Sequence, residues 1–119
     1  AGANNPLYLI RDVDGAPELI ETKPDRMPIG FYQGKDRTFT NHEIQLQIGD
    51  TFYLFSDGFM DQKGGKDNKK FMTKKFKNLL LEIHDQAMWD QKDILDKTLS
   101  DWMGNNSQVD DILVIGVRV

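Results

Sequence analysis

The sequence predicts an α+β fold, in which strands and helices occupy different parts of the chain. Short apolar or alternating runs bounded by turn residues fill the first half, which is typical of antiparallel strands. Two segments with helical spacing of apolar residues follow between residues 73 and 103. A last apolar run at residues 112–117 comes after the helices, so it has to return to the sheet.

The first half of the chain predicts strands joined by turns. Residues 7–22 predict a β-hairpin, because two β-rich runs flank an Asp-Gly turn. Two prolines and a glycine make residues 23–30 a loop. Residues 38–47 alternate, and the period of two over residues 44–48 predicts a half-buried strand. Residues 51–55 are almost continuously apolar, which predicts a strand buried on both faces.

The second half predicts two helices and a closing strand. The first helix starts at Thr73 and carries its apolar residues at helical spacing: Phe76, Leu79, Leu80 and Ile83. The second helix is predicted over residues 90–103, with Asp90 as its N-cap and Gly104 as its C-terminal stop. Residues 112–117 are predicted to form a buried strand.

Composition narrows the class of protein and its partners. With 119 residues, 39% of them hydrophobic and 29% charged, the chain has the size and character of one globular domain. Its net charge of −4 argues against nucleic acid as a partner of the whole domain. No apolar run approaches the roughly 18 residues of a membrane span, and the first residues lack a signal-peptide pattern. The absence of cysteine excludes disulfides and a cysteine nucleophile, and we expect a cytoplasmic location.

Acidic residues occur where two apolar strands meet their loops. Asp57 directly follows residues 51–55, and Asp110 and Asp111 directly precede the last strand. If these strands are antiparallel neighbours, Asp57 and Asp110 lie close together and raise each other's pKa. A bound Mg²⁺ or Mn²⁺ would relieve that repulsion, because both ions prefer hard oxygen ligands. Since acids are also common in turns, these residues alone leave a purely structural role equally open.

Four sequence blocks, in this order and at these distances, resemble one protein family. The blocks are AGANNPLY at residues 1–8, MPIG at 27–30, SDGFMD at 56–61 and VDDILV at 109–114. Together they resemble the C-terminal portion of type 2C-like metal-dependent protein phosphatases, in the bacterial SpoIIE-like branch. The resemblance covers essentially the whole chain, and four ordered blocks are far more specific than one Asp-Gly dipeptide.

The resemblance implies a fold, a metal centre and a reaction. The fold would be part of a four-layer α-β-β-α sandwich with two antiparallel sheets. The centre would hold two Mn²⁺ or Mg²⁺ ions, with Asp57 and Asp110 as ligands. Asp61, Asp111 and Gly58 would lie beside the ligands or reach the metals through water. The implied reaction is hydrolysis of phosphoserine or phosphothreonine by a metal-activated water, with no covalent phosphoenzyme.

One family block has no counterpart in this chain. The family places an Asp followed by glycines on an early strand, well upstream of the first block, and that Asp bridges both metals. We therefore expect residues 1–119 to be the C-terminal part of a single phosphatase domain whose N-terminal part is absent from this chain. We expect the isolated chain to be inactive and to bind metal weakly. Exposed edges and half-covered apolar faces also predict that it self-associates.

The expected partners follow from the same resemblance. They are a phosphorylated regulatory protein as substrate and upstream sensor or signalling domains in the parent chain. The alternative is a non-catalytic interaction module that keeps the phosphatase-like fold, and a small acidic cation-binding domain is a weaker third reading. Seven lysines between residues 63 and 77 could guide an acidic phosphoprotein towards the metals. They fit a solvated loop and helix face as well.

Overall fold

The computed structural model describes residues 4–30 and 38–119, and its main element is a four-stranded antiparallel sheet with the order β2-β1-β3-β6. In chain order the elements are β1 (Leu7–Val13), β2 (Ala16–Thr22), β3 (Thr51–Phe55), α1 (Gly58–Asp61), β4 (Lys63–Gly64), β5 (Lys69–Lys70), α2 (Thr73–Ile83), α3 (Met88–Met103) and β6 (Val114–Arg118). The α+β prediction is confirmed. Within the described ranges, none of the helices combines the length and apolar character that a membrane span requires.

The predicted hairpin forms the outer part of the sheet. β1 and β2 pair from Leu7 opposite Thr22 to Val13 opposite Ala16. The turn between them uses Asp14 and Gly15, both with positive φ, at 52° and 83°. A two-residue turn of this kind matches the right-handed twist of the flanking strands, which is why an Asp-Gly sequence predicts it.

The hydrophobic core lies between one face of the sheet and the helices. Tyr8 and Phe55 project from the sheet, and their ring centroids are 4.6 Å apart. Phe76 of α2 contacts Phe55 at 5.0 Å, and Phe59 of α1 contacts Phe76 at 5.1 Å. Each of these side chains is at most 5% exposed. Burying one apolar side chain contributes roughly 1.5–3 kcal/mol, so this aromatic cluster anchors the helices on the sheet.

The turn between α2 and α3 is tied to the sheet by polar side chains. Gln91 donates to the carbonyls of His84 and Gln86 at 3.0 and 2.9 Å. Arg118 of β6 donates to the same two carbonyls, at 2.5 and 2.6 Å. The Tyr53 hydroxyl donates to Gln91 Oε1 at 2.7 Å, and burial raises the pKa of Tyr53 to about 12, so it stays a neutral donor. The carbonyls at the end of α2 are satisfied in this way.

The other face of the sheet is apolar and only partly covered. Leu54, Ile115 and Val117 lie on it with exposures of 43%, 44% and 39%. Here two strand predictions were wrong: β3 is buried on one face rather than both, and the side chains of β6 are exposed or only half-buried. The reason is that, among the described residues, no helix or second sheet packs over this face.

The strand predicted over residues 38–47 and 44–48 is wrong, because these residues form no strand. Ile44 and Leu46 line a groove with Leu7, Leu9 and Phe52 on the partly covered face. The apolar residues of the alternating pattern therefore face the sheet, but they belong to a loop that lies over it rather than to a strand. Side chains rather than a neighbouring strand take the backbone hydrogen bonds of this loop, at residues 45 and 47.

The helices differ from the prediction at their ends. The first starts at Thr73 as predicted, and Gly104 ends the second with a φ of 53°. The second begins at Met88 with Ala87 at its cap, so the assignment of Asp90 as N-cap was wrong. Asp90 lies in the first turn, where its negative charge interacts favourably with the positive end of the helix dipole. Helix α1 and the β4–β5 hairpin were not predicted.

A bidentate ion pair fixes the loop before β3. Arg11 donates through Nε to Asp50 Oδ1 at 3.0 Å and through Nη2 to Oδ2 at 2.7 Å. Asp50 Oδ2 also accepts the Gln47 N–H at 2.8 Å, and the residue is only 2% exposed. The hydrogen bonds from Arg11 hold the pKa of the Asp50 carboxyl below its usual value. Charge-assisted pairs of this geometry are among the stronger polar contacts in proteins.

We predict that this pair makes stability sensitive to acid. Because the folded pKa of Asp50 is lowered, its contribution is complete above the unfolded pKa of about 4 and is lost as pH falls through the folded pKa. Asp50→Asn should lower the melting temperature at pH 7 and flatten its decline in acid. Thermal denaturation across pH tests this, with Asp93→Asn, exposed on α3, as the matched control. Equal melting temperatures for Asp50→Asn and wild type at pH 7 would contradict it.

Candidate metal centre

The pairing of β3 with β6 brings the two acidic blocks together. The strands are antiparallel neighbours, and Phe55 lies opposite Val114 at the end of their ladder. The residues after Phe55 therefore run beside those before Val114. The sequence analysis expected Asp57 and Asp110 to lie close together if these two strands were antiparallel neighbours. That strand pairing is confirmed.

Ser56 locks the two blocks to each other. Its backbone N–H donates to the Leu113 carbonyl at 3.0 Å. Its hydroxyl donates to the Asp111 carbonyl at 2.8 Å and accepts the Leu113 N–H at 3.0 Å. A single serine thus extends the contact beyond the last strand pair with three hydrogen bonds. We call this contact, together with Gly58, the Ser56–Gly58 clamp.

Gly58 lets the backbones approach more closely than any other residue would allow. A Cβ at this position would collide with the Asp111 carbonyl oxygen and would lie 3.0 Å from Ile112 Cγ1. Gly58 is also the first residue of α1, so the chain turns from strand into helix against the other block. The predicted role of Gly58 beside the ligands is a packing role here, because it has no side chain to offer.

Asp57 sits at the N-cap of α1 but does not use its carboxylate there. The cap has no side-chain hydrogen bond. Burial raises the pKa of the Asp57 carboxyl, and the nearby charges of Asp61 and Asp110 raise it further. Of the two predicted ligands, Asp110 therefore lies close enough to Asp57 to act on the Asp57 carboxyl. A raised pKa among acidic neighbours is typical of carboxylates that share a cation.

The neighbouring acids contribute in different ways. Asp110 accepts the backbone N–H of Asp111 through Oδ1 at 2.7 Å, which fixes its orientation. Asp61 is 3.3 Å from Lys70 Nζ, in an exposed ion pair. Asp111 is tied in through its backbone carbonyl, which accepts from Ser56. Asp61 and Asp110 thus lie near enough to Asp57 to act on its charge, whereas Asp111 takes part through its main chain.

The chemistry of these donors fits part of a site for Mg²⁺ or Mn²⁺. Carboxylate oxygens are the ligands that both ions prefer, and a cation would offset the mutual repulsion at Asp57. Among residues 4–30 and 38–119, no group of three or more His, Asp or Glu side chains is arranged to hold a metal ion. Asp57 and Asp110 are therefore two candidate ligands, and the described residues do not complete a metal site around them.

A cleft of about 510 Å³ opens beside Asp57 and Asp61. Its walls come from the start of β1, the loop after β2 and the start of α2. Two basic residues, Lys23 and Arg26, line it as well. The carboxylates thus face a space large enough for a substrate side chain.

A family model identifies the protein family to which the sequence belongs. The model of the family described as Stage II sporulation protein E (SpoIIE) matches residues 1–119. The chain belongs to the SpoIIE family. Its sequence blocks had indicated this branch, and the α+β architecture with an antiparallel sheet is that of the PP2C-like phosphatases.

A solved structure supports the SpoIIE assignment. The chain resembles the SiaA-PP2C domain of Pseudomonas aeruginosa with a TM-score of 0.84 and 34% sequence identity. The match covers 98% of this chain but 44% of that one, so the chain spans less than half of the compared structure. No curated protein matches the sequence significantly.

Several features of this SpoIIE-family chain were not predicted from the sequence, or have a role that differs from the predicted one. Ser56 had no separate prediction, although its hydroxyl joins the two blocks. The lysines of residues 63–77 are partly used in packing: Lys75 Nζ lies 4.2 Å from the Trp102 ring centroid, and Lys77 pairs with Glu21 at 2.9 Å. The guiding role of that stretch remains a prediction. The basic residues of the cleft lie in another loop, which only the fold brings near Asp57.

We predict that Gly58→Ala forces the two blocks apart. Overpacking of this kind typically costs about 1–3 kcal/mol. The matched comparison is Gly116→Ala, whose Cβ would lie 3.1 Å from a Tyr53 ring atom, so that the ring must move by only a few tenths of an ångström. Chemical denaturation should show a larger loss of unfolding free energy for Gly58→Ala. If Gly116→Ala is equally or more destabilising, the clamp is not the tighter contact.

Proposed function

We propose that this chain is the C-terminal part of a cytoplasmic PP2C-like phosphatase domain that hydrolyses phosphoserine or phosphothreonine in a regulatory protein. Membership of the SpoIIE family supports the reaction class. The observation that carries the proposal is the antiparallel pairing of β3 with β6, which places Asp57 and Asp110 at the same end of the sheet. A purely structural turn would not require acids to be held against one another.

Each residue of the site has a defined role in this proposal. Asp57 and Asp110 bind Mn²⁺ or Mg²⁺ directly, and Asp61 contacts the centre through water. When bound, the divalent ions lower the pKa of a water and neutralise charge on the phosphate. The Ser56–Gly58 clamp sets the separation of the two ligands, and the cleft beside them holds the phosphorylated side chain.

The remaining ligands belong, in this proposal, to an N-terminal part of the same domain. The compared SiaA-PP2C chain is longer than the region matched here, which leaves room for such a part. Upstream sensor or signalling domains would then control the complete phosphatase. The chain of residues 1–119 is expected to be catalytically incomplete by itself.

A non-catalytic interaction module is the second candidate. The observation that favours it is the apolar sheet face at Leu54, Ile115 and Val117, which can bind a partner without any metal. Asp57 and Asp110 would then be dispensable for function. Experiments on metal binding and turnover separate the two candidates.

We predict that divalent metal and Asp57 act together on stability. Without metal, Asp57→Asn should raise the melting temperature, because it removes a carboxyl whose pKa is raised by burial and by its acidic neighbours. In the chain extended upstream to a whole domain, Mn²⁺ should raise the melting temperature of the wild type through binding to the folded state, and this gain should be largely lost in Asp57→Asn. Asp93→Asn should respond to Mn²⁺ as the wild type does. An undiminished Mn²⁺ response in Asp57→Asn would remove Asp57 from the metal site.

We predict metal-dependent phosphate release once the chain is extended upstream to a whole domain. The substrate would be a phosphoserine protein or an aryl phosphate, assayed with Mn²⁺. Asp57→Asn and Asp110→Asn should each lower the rate by about 100-fold or more, since even residues that only support ligands typically change activity by 10–100-fold. Asp93→Asn should leave the rate unchanged. A folded, complete domain without activity would favour the interaction module.

A further inference from the structure

The cleft beside the candidate metal centre contains opposite charges. Asp57 and Asp61 line it together with Lys23 and Arg26. The acids are assigned to cation binding in the proposed function, but the two basic residues have no part in it. Since a phosphorylated protein segment is an anion, cations in the cleft are suited to bind it.

Lys23 and Arg26 lie in a loop that is held in place by hydrogen bonds to Asp25, a residue between them in the sequence. The Asp25 carbonyl accepts the N–H groups of Asn4 and Met27 at 3.0 and 2.9 Å. The Asp25 carboxylate accepts the Thr40 N–H at 2.8 Å and the Thr40 hydroxyl at 3.2 Å. Lys23 and Arg26 therefore flank an anchored residue, which restricts where their side chains can reach.

The charges of Lys23 and Arg26 are not used within the described part of the chain. Both residues are exposed, and neither takes part in an ion pair or side-chain hydrogen bond there. Nearby lysines behave differently: Lys77 pairs with Glu21, and Lys70 pairs with Asp61. Two cations that line a cleft without a described partner are available to a ligand.

A second groove continues the cleft along α2. It shares Glu21 and Thr73 with the cleft and adds Lys74, Lys77 and the apolar residues Leu19 and Leu81. An extended segment lying in the cleft could therefore continue past Lys74, which has no ion pair with a described residue. This continuity favours a polypeptide ligand over a small phosphate ester.

We infer that Lys23 and Arg26 bind an acidic segment of a phosphoserine- or phosphothreonine-containing protein, and so position its phosphate at Asp57 and Asp61. The nature of this ligand rests on the proposed phosphatase function. Lys23 and Arg26 are positioning residues that set substrate preference. The preferred segment carries Asp or Glu beside the phosphorylated residue.

Peptide binding tests this inference without catalysis. A fluorescein-labelled phosphoserine peptide flanked by glutamates is titrated with the upstream-extended domain in EDTA, and anisotropy gives the Kd. The double variant Lys23→Glu/Arg26→Glu should weaken binding by about tenfold or more, or about 1.4 kcal/mol. Lys92→Glu/Lys97→Glu, an equal charge change at two exposed positions of α3, should bind as the wild type does. Lys23→Arg/Arg26→Lys should retain binding, and the difference between wild type and double variant should shrink in high salt.

Three results would overturn the inference. They are wild-type affinity in Lys23→Glu/Arg26→Glu, an equal loss in Lys92→Glu/Lys97→Glu, and no measurable peptide binding by the wild type. If charge reversal impairs folding, Lys23→Gln and Arg26→Gln are measured instead, with a smaller loss expected from each. Mn²⁺-dependent hydrolysis of an aryl phosphate by the wild type is assayed separately. Its absence would count against the proposed function, while the peptide Kd values would still decide the role of the two basic residues.

Discussion

The contact on which the candidate site depends is the antiparallel pairing of β3 with β6, extended by the Ser56–Gly58 clamp. The strands are far apart in sequence, with three helices and a small hairpin between them. Their pairing alone brings Phe55 opposite Val114. The clamp then carries the contact past the end of the ladder, with three hydrogen bonds from Ser56 and a backbone approach that only glycine permits. Asp57 lies between these two residues, so its position is fixed by main-chain geometry rather than by contacts of its own carboxylate.

Two aspartates at opposite ends of β3 show how the fold separates structure from function. Asp50 precedes the strand and receives a bidentate arginine, which lowers the pKa of its carboxyl. Asp57 follows the strand and has acids as neighbours, which together with burial raise the pKa of its carboxyl. The first arrangement stabilises the folded chain at neutral pH, whereas the second works against it. Asp50 has an arginine partner, whereas Asp57 is left among acidic neighbours. An unneutralised carboxylate in such surroundings is consistent with a cation site at Asp57.

The sequence was most informative where one local rule decides the structure. The hairpin followed from an Asp-Gly turn between β-rich runs, and the end of α3 followed from Gly104. The strand expected over residues 44–48 failed because alternation describes side-chain positions and not hydrogen bonding. Arg11 and Asp50 supply the hydrogen bonds that a neighbouring strand would have made, and their partners lie at residues 45 and 47. At the site, Asp57 and Asp110 could be selected from their strand-end positions. Lys23 and Arg26 could not, because their nearness to Asp57 arises only when β1 and β2 join the sheet beside β3.

The unequal covering of the sheet bears on how the chain is used. One face carries the aromatic core and the helices, while the other exposes Leu54, Ile115 and Val117 beside the clamp. Apolar side chains on neighbouring strands form a continuous surface, and such a surface is stabilised by contact with another layer. In the proposed complete domain, the N-terminal part supplies that layer, and burying this face would join the two parts next to Asp57 and Asp110. The isolated chain lacks this partner, so self-association through the same face stays a prediction. On this view, the hydrophobic contact that completes the domain and the ligand set that completes the metal centre are two consequences of one interface.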